Sequence, residues 1–251
     1  MIKLENLTIR SSGKNIINGL NASFNGKTIV IGHNGAGKTT LIKAMLGIIN
    51  HTGRIDIPKN SQRFTTNLID VYKILNVSAL DLIKIYARAM ESDSERIISI
   101  LERFKIKYIL KRRITRLSTG EARLFSLAMA IGLNGWFTML DEPFENLDIS
   151  RREEAIKMIN DLNRDLLIVT HDIQVLNKLN FSDMYLMVNG SMAGPLPRAD
   201  LKNLYLSRED NGRTILSFSV MGRNFYINKD AGDYPIMSFH SMDELIQVIE
   251  G

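Results

Sequence analysis

The chain has 251 residues, 45% hydrophobic and 24% charged, an ordinary globular composition with room for one large domain or two smaller ones. It has no cysteine, which excludes disulfides, thiolate metal sites and cysteine nucleophiles. The formal net charge of +5 admits an anionic surface as a partner, but the densest basic run, Lys111, Arg112, Arg113 and Arg116, reads as a solvated face.

In chain order, Ile2, Leu4, Leu7 and Ile9 nearly alternate, with a slip at Asn6, and predict a strand. Further strands are predicted over Ile16–Phe24 and Thr28–Ile31, separated by the turn pair Asn25-Gly26. A helix is expected from Lys38 to about Ile48, ended by Gly47 or Asn50. From about Asn67 to Thr115 the chain reads as mainly helical, with Leu80, Ile83, Ala87 and Met90 at helical spacing. Ser92 and Glu95 suggest a capping box there.

Strand and helix then alternate. Strands are expected at Trp136–Leu140, Leu166–Thr170 and Met184–Val188, and helices at about Gly120–Leu133, Ser150–Leu162 and Ile173–Leu179. Apolar strands separated by helices imply an α/β fold with a mostly parallel sheet covered on both faces. Pro195 and Pro197 mark a break. Beyond it a hairpin, Ile215–Val220 with Asn224–Ile227, and a last helix opened by Ser241 and Glu244 form a short α+β appendage.

Four motifs carry chemistry. GHNGAGKT, Gly32 to Thr39, fits the phosphate-loop pattern and lies between a predicted strand and a predicted helix. The amides of His33, Asn34, Gly35, Ala36, Gly37 and Lys38, with Thr39 and Thr40 opening the helix, suit a polyphosphate. Lys38 can reach the outer phosphates, and Thr39 can hold Mg²⁺. WFTMLDEP places Asp141 and Glu142 at the C-terminal end of a strand, where α/β sheets bind ligands. Asp141 suits Mg²⁺ and Glu142 suits an attacking water. LLIVTHD places His171 at the end of the next strand. LSTGEARL, Leu117 to Leu124, is a second loop-to-helix turn that suits an anion, through the Ser118 hydroxyl, the bare Gly120 backbone and the helix dipole.

The order of phosphate loop, LSTGE, MLDEP, ENLD and VTHD resembles the ATP-binding cassette (ABC) ATPases over about residues 1–198. The resemblance implies a P-loop NTPase of ABC type with an N-terminal antiparallel β part, a helical subdomain at about 67–116 and a 199–251 appendage. It also implies that ATP and Mg²⁺ are bound, with Glu142 and His171 catalytic. Asp148 falls in the family's D-loop. Ser118, Thr119, Gly120 and Glu121 match a signature loop that covers ATP held by a second copy of the chain, or a related cassette, in a head-to-tail dimer.

The pattern departs in three places. Thr119 and Glu121 stand where glycine and glutamine are usual, and Glu121 is expected to turn away from the phosphates. Asn67 takes the place of the family's metal-contacting glutamine, with Gln62 as the alternative. Ser11 or Ser12 falls where an aromatic usually stacks on adenine, which predicts weak discrimination of ATP from GTP.

No apolar run reaches the roughly 18 residues of a membrane span, and MIKLENLTIR has no signal-peptide core. The expected protein is therefore a cytoplasmic ATPase, peripheral to the inner face of the cell membrane, that powers a separate transmembrane permease by ATP-driven dimerisation. It would serve a metal-ion or vitamin importer or a small two-component exporter. The alternative is a non-transport cassette of DNA repair or translation. Only 79 residues, without sustained heptads, separate Lys38 from Leu117, so no long coiled coil is inserted and no nucleic acid is expected.

Overall fold

The structure, a computed structural model, describes residues 1–11, 13–58, 63–220 and 223–250. The chain forms two compact units, one of residues 1–58 with 169–251 and one of residues 59–168.

The first unit opens with β1 (Ile2–Ser11), β2 (Lys14–Phe24), β3 (Lys27–Gly32), α1 (Lys38–Met45) and β4 (Thr52–Asp56). β1 is the centre of an antiparallel sheet ordered β2-β1-β4. Its inward residues Ile2, Leu4, Leu7 and Ile9 are all buried. The slip in the alternation is a real bulge: Asn6 has φ 50, and the pairing with β2 shifts between Leu4 and Leu7. One extra residue restores the inward register of Leu7 and Ile9. α1 is capped by Leu46 and stopped by Gly47 just beyond it, whose φ of 69 suits a glycine stop.

The second unit holds β5 (Phe64–Thr66), α2 (Ile69–Tyr72), α3 (Ala79–Ala89), α4 (Ser94–Arg103), α5 (Thr119–Gly132), β6 (Phe137–Asp141) and α6 (Ile149–Asn160). β7 (Asp165–Thr170) leads the chain back to the first unit. β5 and β6 pair in parallel, with the buried Thr65 and Thr138 hydroxyls bonded at 2.8 Å. α5 is the core helix: Leu124 to Gly132 are all buried, as a helix apolar on every face must be. Tyr72 packs edge-on against Phe125 and donates its hydroxyl to Thr66 O at 2.7 Å.

One local expectation fails in this unit. The cap of α4 is Asp93, which accepts from Glu95 N at 2.9 Å, not Ser92. The Ser92 hydroxyl instead accepts from Asn134 N at 2.7 Å, a long-range bond that no local pattern announces. The run from Asn67 is mainly helical as predicted, with two short 3-10 turns at Lys107–Lys111 and Ile114–Arg116 after α4, and β5 ends just before it.

On its return, the first unit adds β8 (Asp183–Val188) and β9 (Ser191–Pro197). β8 pairs in parallel with β3 and antiparallel with β9. The helix expected over Ile173–Leu179 is only a 3-10 turn, Gln174–Asn177, because Ile173 N is drawn to His240 O at 3.0 Å. Pro195 and Pro197 do not break the chain; they lie within β9, at an outer edge of its sheet where a missing N–H is tolerated.

The tail is an antiparallel sheet of β10 (Leu204–Ser207), β11 (Thr214–Val220), β12 (Arg223–Lys229) and β13 (Tyr234–Pro235), ordered β11-β12-β10-β13. β11 and β12 are the expected hairpin, and its tip lies outside the described residues. α7 (Met242–Glu250) closes the chain. Ser241 Oγ accepts from Glu244 N at 3.2 Å, while the Glu244 carboxylate accepts from His240 N at 2.7 Å. The parallel pairs, the antiparallel N-terminal sheet and the α+β tail are the predicted α/β class.

Candidate nucleotide site

In the first unit the phosphate loop runs from the end of β3 to the start of α1. Its curvature needs glycine: Gly35 has φ 84 and Gly37 φ 108, conformations a side chain disfavours. Gly37 caps α1, with Leu41 N donating to Gly37 O at 2.9 Å. Gly190 N donates to Ala36 O at 3.0 Å and fixes the back of the loop. His33 Nδ1 meets Asn34 O at 2.6 Å. Lys38 is buried, and its ammonium donates to Gly32 O at 2.7 Å and His33 O at 2.9 Å, curling around the loop. α1 has no acidic residue in its own first turn, so its N-terminal positive potential beside Thr39 and Thr40 is not offset from within the helix. His171, directly after β7, is in the same unit and accepts from Met242 N through its carbonyl at 2.8 Å.

In the second unit the acidic pair ends β6. Asp141 is partly buried, and Glu142 follows with φ 44. A non-glycine residue in the left-handed region is uncommon and concentrates at functional sites. Asn67 grips Asp141 by its main chain: Nδ2 donates to Asp141 O at 2.8 Å and Oδ1 accepts from Asp141 N at 2.7 Å. Asp148 caps α6, accepting from Arg151 N at 2.9 Å. Of the remaining sequence candidates, Gln62 and Ser12 lie outside the described residues, and Ser11 is exposed at the end of β1.

The LSTGE turn is also in this unit. Ser118 caps α5 in a reciprocal capping box: Ser118 Oγ accepts from Glu121 N at 3.3 Å, and Glu121 Oε2 from Ser118 N at 2.8 Å. Glu121 Oε1 accepts from Arg112 at 2.6 Å and from the Tyr108 hydroxyl at 3.0 Å. The Ser118 N–H, with help from these side chains, holds the Glu121 carboxyl below its usual range. Thr119 is the first residue of α5, where no positive φ is called for. A Cβ on Gly120 would meet nothing within 4 Å, so its backbone is open. Sequence reasoning does not reach Arg112 and Tyr108 as partners of this turn; Arg112 belongs to the basic run whose pattern reads as a plain solvated face.

A strand–loop–helix anion cradle around a buried lysine, in an α/β fold, defines a phosphate-loop nucleotide-binding protein. The family model described as ABC transporter matches residues 18–145, about half of the chain, and the chain belongs to that family. The zinc import ATP-binding protein ZnuC of Buchnera aphidicola subsp. Schizaphis graminum is 30% identical over 190 residues, 72% of this chain and 79% of the relative. ZnuC of Wolbachia pipientis wMel is 29% identical over 209 residues, covering 76% and 81%. A solved structure provisionally described as a cobalt transport ATP-binding protein, cbiO-2, superposes with a TM-score of 0.85 at 26% identity. It covers 99% of this chain and 100% of its own, so the tail belongs to the shared architecture. The chain is thus an ATP-binding ATPase of ABC type, as its motif order implies.

Proposed function

We propose that the chain is the ATP-hydrolysing subunit of a metal-ion importer, working on the inner, cytoplasmic face of the membrane through a separate permease. The observation that carries the ATPase half is the phosphate loop itself, with Lys38 folded into it and no acid in the first turn of α1. The transport half draws on the names of the relatives, zinc import ATP-binding proteins, and of a structural neighbour provisionally described as a cobalt transport ATP-binding protein. No helix among the described residues is long and apolar enough to cross a membrane, which suits a subunit that borrows its membrane path from a partner. Ile74 and Leu75, 79% and 40% exposed, are apolar residues such a partner would cover. Tyr72, equally apolar in sequence, is core.

In this reading the loop amides of residues 33–40 receive the phosphates and Lys38 exchanges its carbonyl partners for phosphate oxygens. Mg²⁺ is a hard cation that takes one or two protein oxygens together with substrate phosphates. The Thr39 hydroxyl and the Asp141 carboxylate are donors of that kind. No cluster of three or more His, Cys, Asp or Glu side chains occurs among the described residues, and this mode of binding needs none. Glu142 orients or deprotonates the attacking water, and His171 contacts the γ-phosphate. Asn67 acts mainly through the Asp141 backbone, since its oxygen already accepts from Asp141 N. Ser118, Thr119, Gly120 and Glu121 form the face that covers ATP on a second copy or a related cassette, with Asp148 beside that contact. ATP then favours the paired state, and hydrolysis releases it.

Two substitutions test this. Glu142→Gln should cut ATP turnover by about 100-fold or more while keeping ATP binding, and should accumulate a dimer with ATP in light scattering. A variant that stays monomeric at saturating ATP would sink the dimer reading. Lys38→Ala should lose nucleotide affinity, and unchanged affinity would remove the phosphate-loop assignment. Metal uptake by cells lacking the subunit, complemented with wild type or Glu142→Gln, tests the cargo class: zinc or cobalt uptake restored only by wild type is the expected result.

A further inference from the structure

The tail reaches the nucleotide loop. Asp243, in the first turn of α7, accepts from the amide of Asn34 through Oδ1 at 2.9 Å. On either side of this contact the 240–243 segment grips the loop that carries His171. Met242 N donates to His171 O at 2.8 Å, Ile173 N donates to His240 O at 3.0 Å, and Asp172 bridges to Ser241. Met242 and Leu245 anchor the segment, both with no exposed surface. A residue 209 positions away in sequence thus places an anion on a loop built to bind anions.

Two physical facts set the sign of this contact. A carboxylate within hydrogen-bond distance of the phosphate loop repels an incoming polyphosphate and competes for the loop amides. The contact is also costly to hold: Asp243 Oδ2 is enclosed without a hydrogen-bond partner, so part of the lost hydration is uncompensated. Released from Asn34, the carboxylate would still be favoured by the N-terminus of its own helix.

We propose that Asp243 is a tail-borne residue of the nucleotide site, whose carboxylate and the nucleotide phosphates hold the phosphate loop in alternation. Nucleotide binding then loosens the 240–243 segment, and with it the main-chain bonds to the His171 loop. The inference rests on the nucleotide-site reading and adds to it an affinity control built into the tail.

The test is titration calorimetry of the full chain with ADP and with a non-hydrolysable ATP analogue, in Mg²⁺. Asp243→Ala and Asp243→Asn should both tighten binding, by about five- to tenfold for Ala. Unchanged or weaker binding in both would overturn the proposal, because it would make Asp243 a support of the loop. Hydrogen exchange on wild type needs no variant to fold: the amides of Met242 and Ile173 should exchange faster with nucleotide bound, and equal or slower exchange overturns the alternation. Lys38→Ala separates the two levels. If wild type binds, Lys38→Ala does not, and the Asp243 variants match wild type, only the tail inference fails. If wild type itself binds no nucleotide, the site reading fails and takes the tail inference with it.

Discussion

Asn67 holds Asp141 by both main-chain groups, donating to its carbonyl at 2.8 Å and accepting from its amide at 2.7 Å. The clamp joins the residue after β5 to the last residue of β6 and so fixes the height at which the acidic pair leaves its strand. Asn67→Ala leaves both Asp141 groups without these bonds and should cost about 1–3 kcal/mol of stability in urea titration. Misplacing a catalytic group by an ångström can cost about 100-fold in rate. The expected signature is therefore kcat down by about 10- to 100-fold with ATP affinity little changed. A selective loss of Mg²⁺ affinity with kcat intact would instead favour direct metal contact.

Glu121 ties the start of α5 to Arg112 and Tyr108. Its folded pKa lies below the ordinary 4.5, chiefly through the Ser118 N–H bond. A depressed carboxylate stabilises fully above the unfolded value, and that contribution is lost as pH falls through the lower, folded value. The stability difference between wild type and Glu121→Gln should accordingly be constant above about pH 5 and shift toward Gln below the ordinary carboxylate value. Arg112→Ala in the Glu121 background should impair ATP-driven dimerisation by leaving the carboxylate without its cation, and adding Glu121→Gln should restore it. No rescue would show that Arg112 acts elsewhere.

Gly37 and Gly35 make a controlled pair. Both have positive φ, 108 and 84, but only Gly37 is crowded: a Cβ there would lie 3.0 Å from Met187 Cε and 3.4 Å from Ile16 O. Around Gly35 there is open space. Gly35→Ala should cost about 1 kcal/mol from backbone strain, and Gly37→Ala about 2 kcal/mol or more. Nucleotide affinity should fall further for Gly37→Ala, since Gly37 also caps α1. Equal losses would show that crowding at Met187 is relieved by a rotamer change.

Much of this was legible because the physics is local. The strand–glycine–lysine–helix order of residues 28–45 needs only near neighbours, and so does the Ser118–Glu121 box. Even the bulge at Asn6 shows in the alternation of β1. What escaped was set at long range. Ser92 resembles a cap, but Asn134 N claims its hydroxyl. Residues 173–179 have helical spacing, but the tail takes Ile173 N. Pro195 and Pro197 signal a break only if the strand is assumed to be central. Arg112 and Asp243 lie 9 and 209 positions from their partners Glu121 and Asn34, and no periodicity connects them.

Arg164 closes the other end of α5, the end away from Ser118. It donates to Leu133 O at 2.5 Å, Ala130 O at 2.8 Å and Ile131 O at 3.0 Å, the carbonyls that the C-terminus of α5 leaves without intrahelical partners. A cation here also complements the helix dipole. Burial, with Arg96 nearby, lowers its pKa to about 10, so it stays charged at neutral pH. Arg164→Met keeps apolar volume and removes all three bonds, and should destabilise the chain by about 2–3 kcal/mol in urea. Arg164→Lys supplies the charge without the planar fork and should recover only part of that. Because α5 carries Ser118 and Gly120 at its far end, fraying at Arg164 should also weaken ATP-driven dimerisation more than ATP binding by the monomer. Dimerisation measured by light scattering, set against monomer affinity by calorimetry, distinguishes this from a general loss of fold: a parallel fall in both would mean that Arg164 supports the unit as a whole and not α5 in particular.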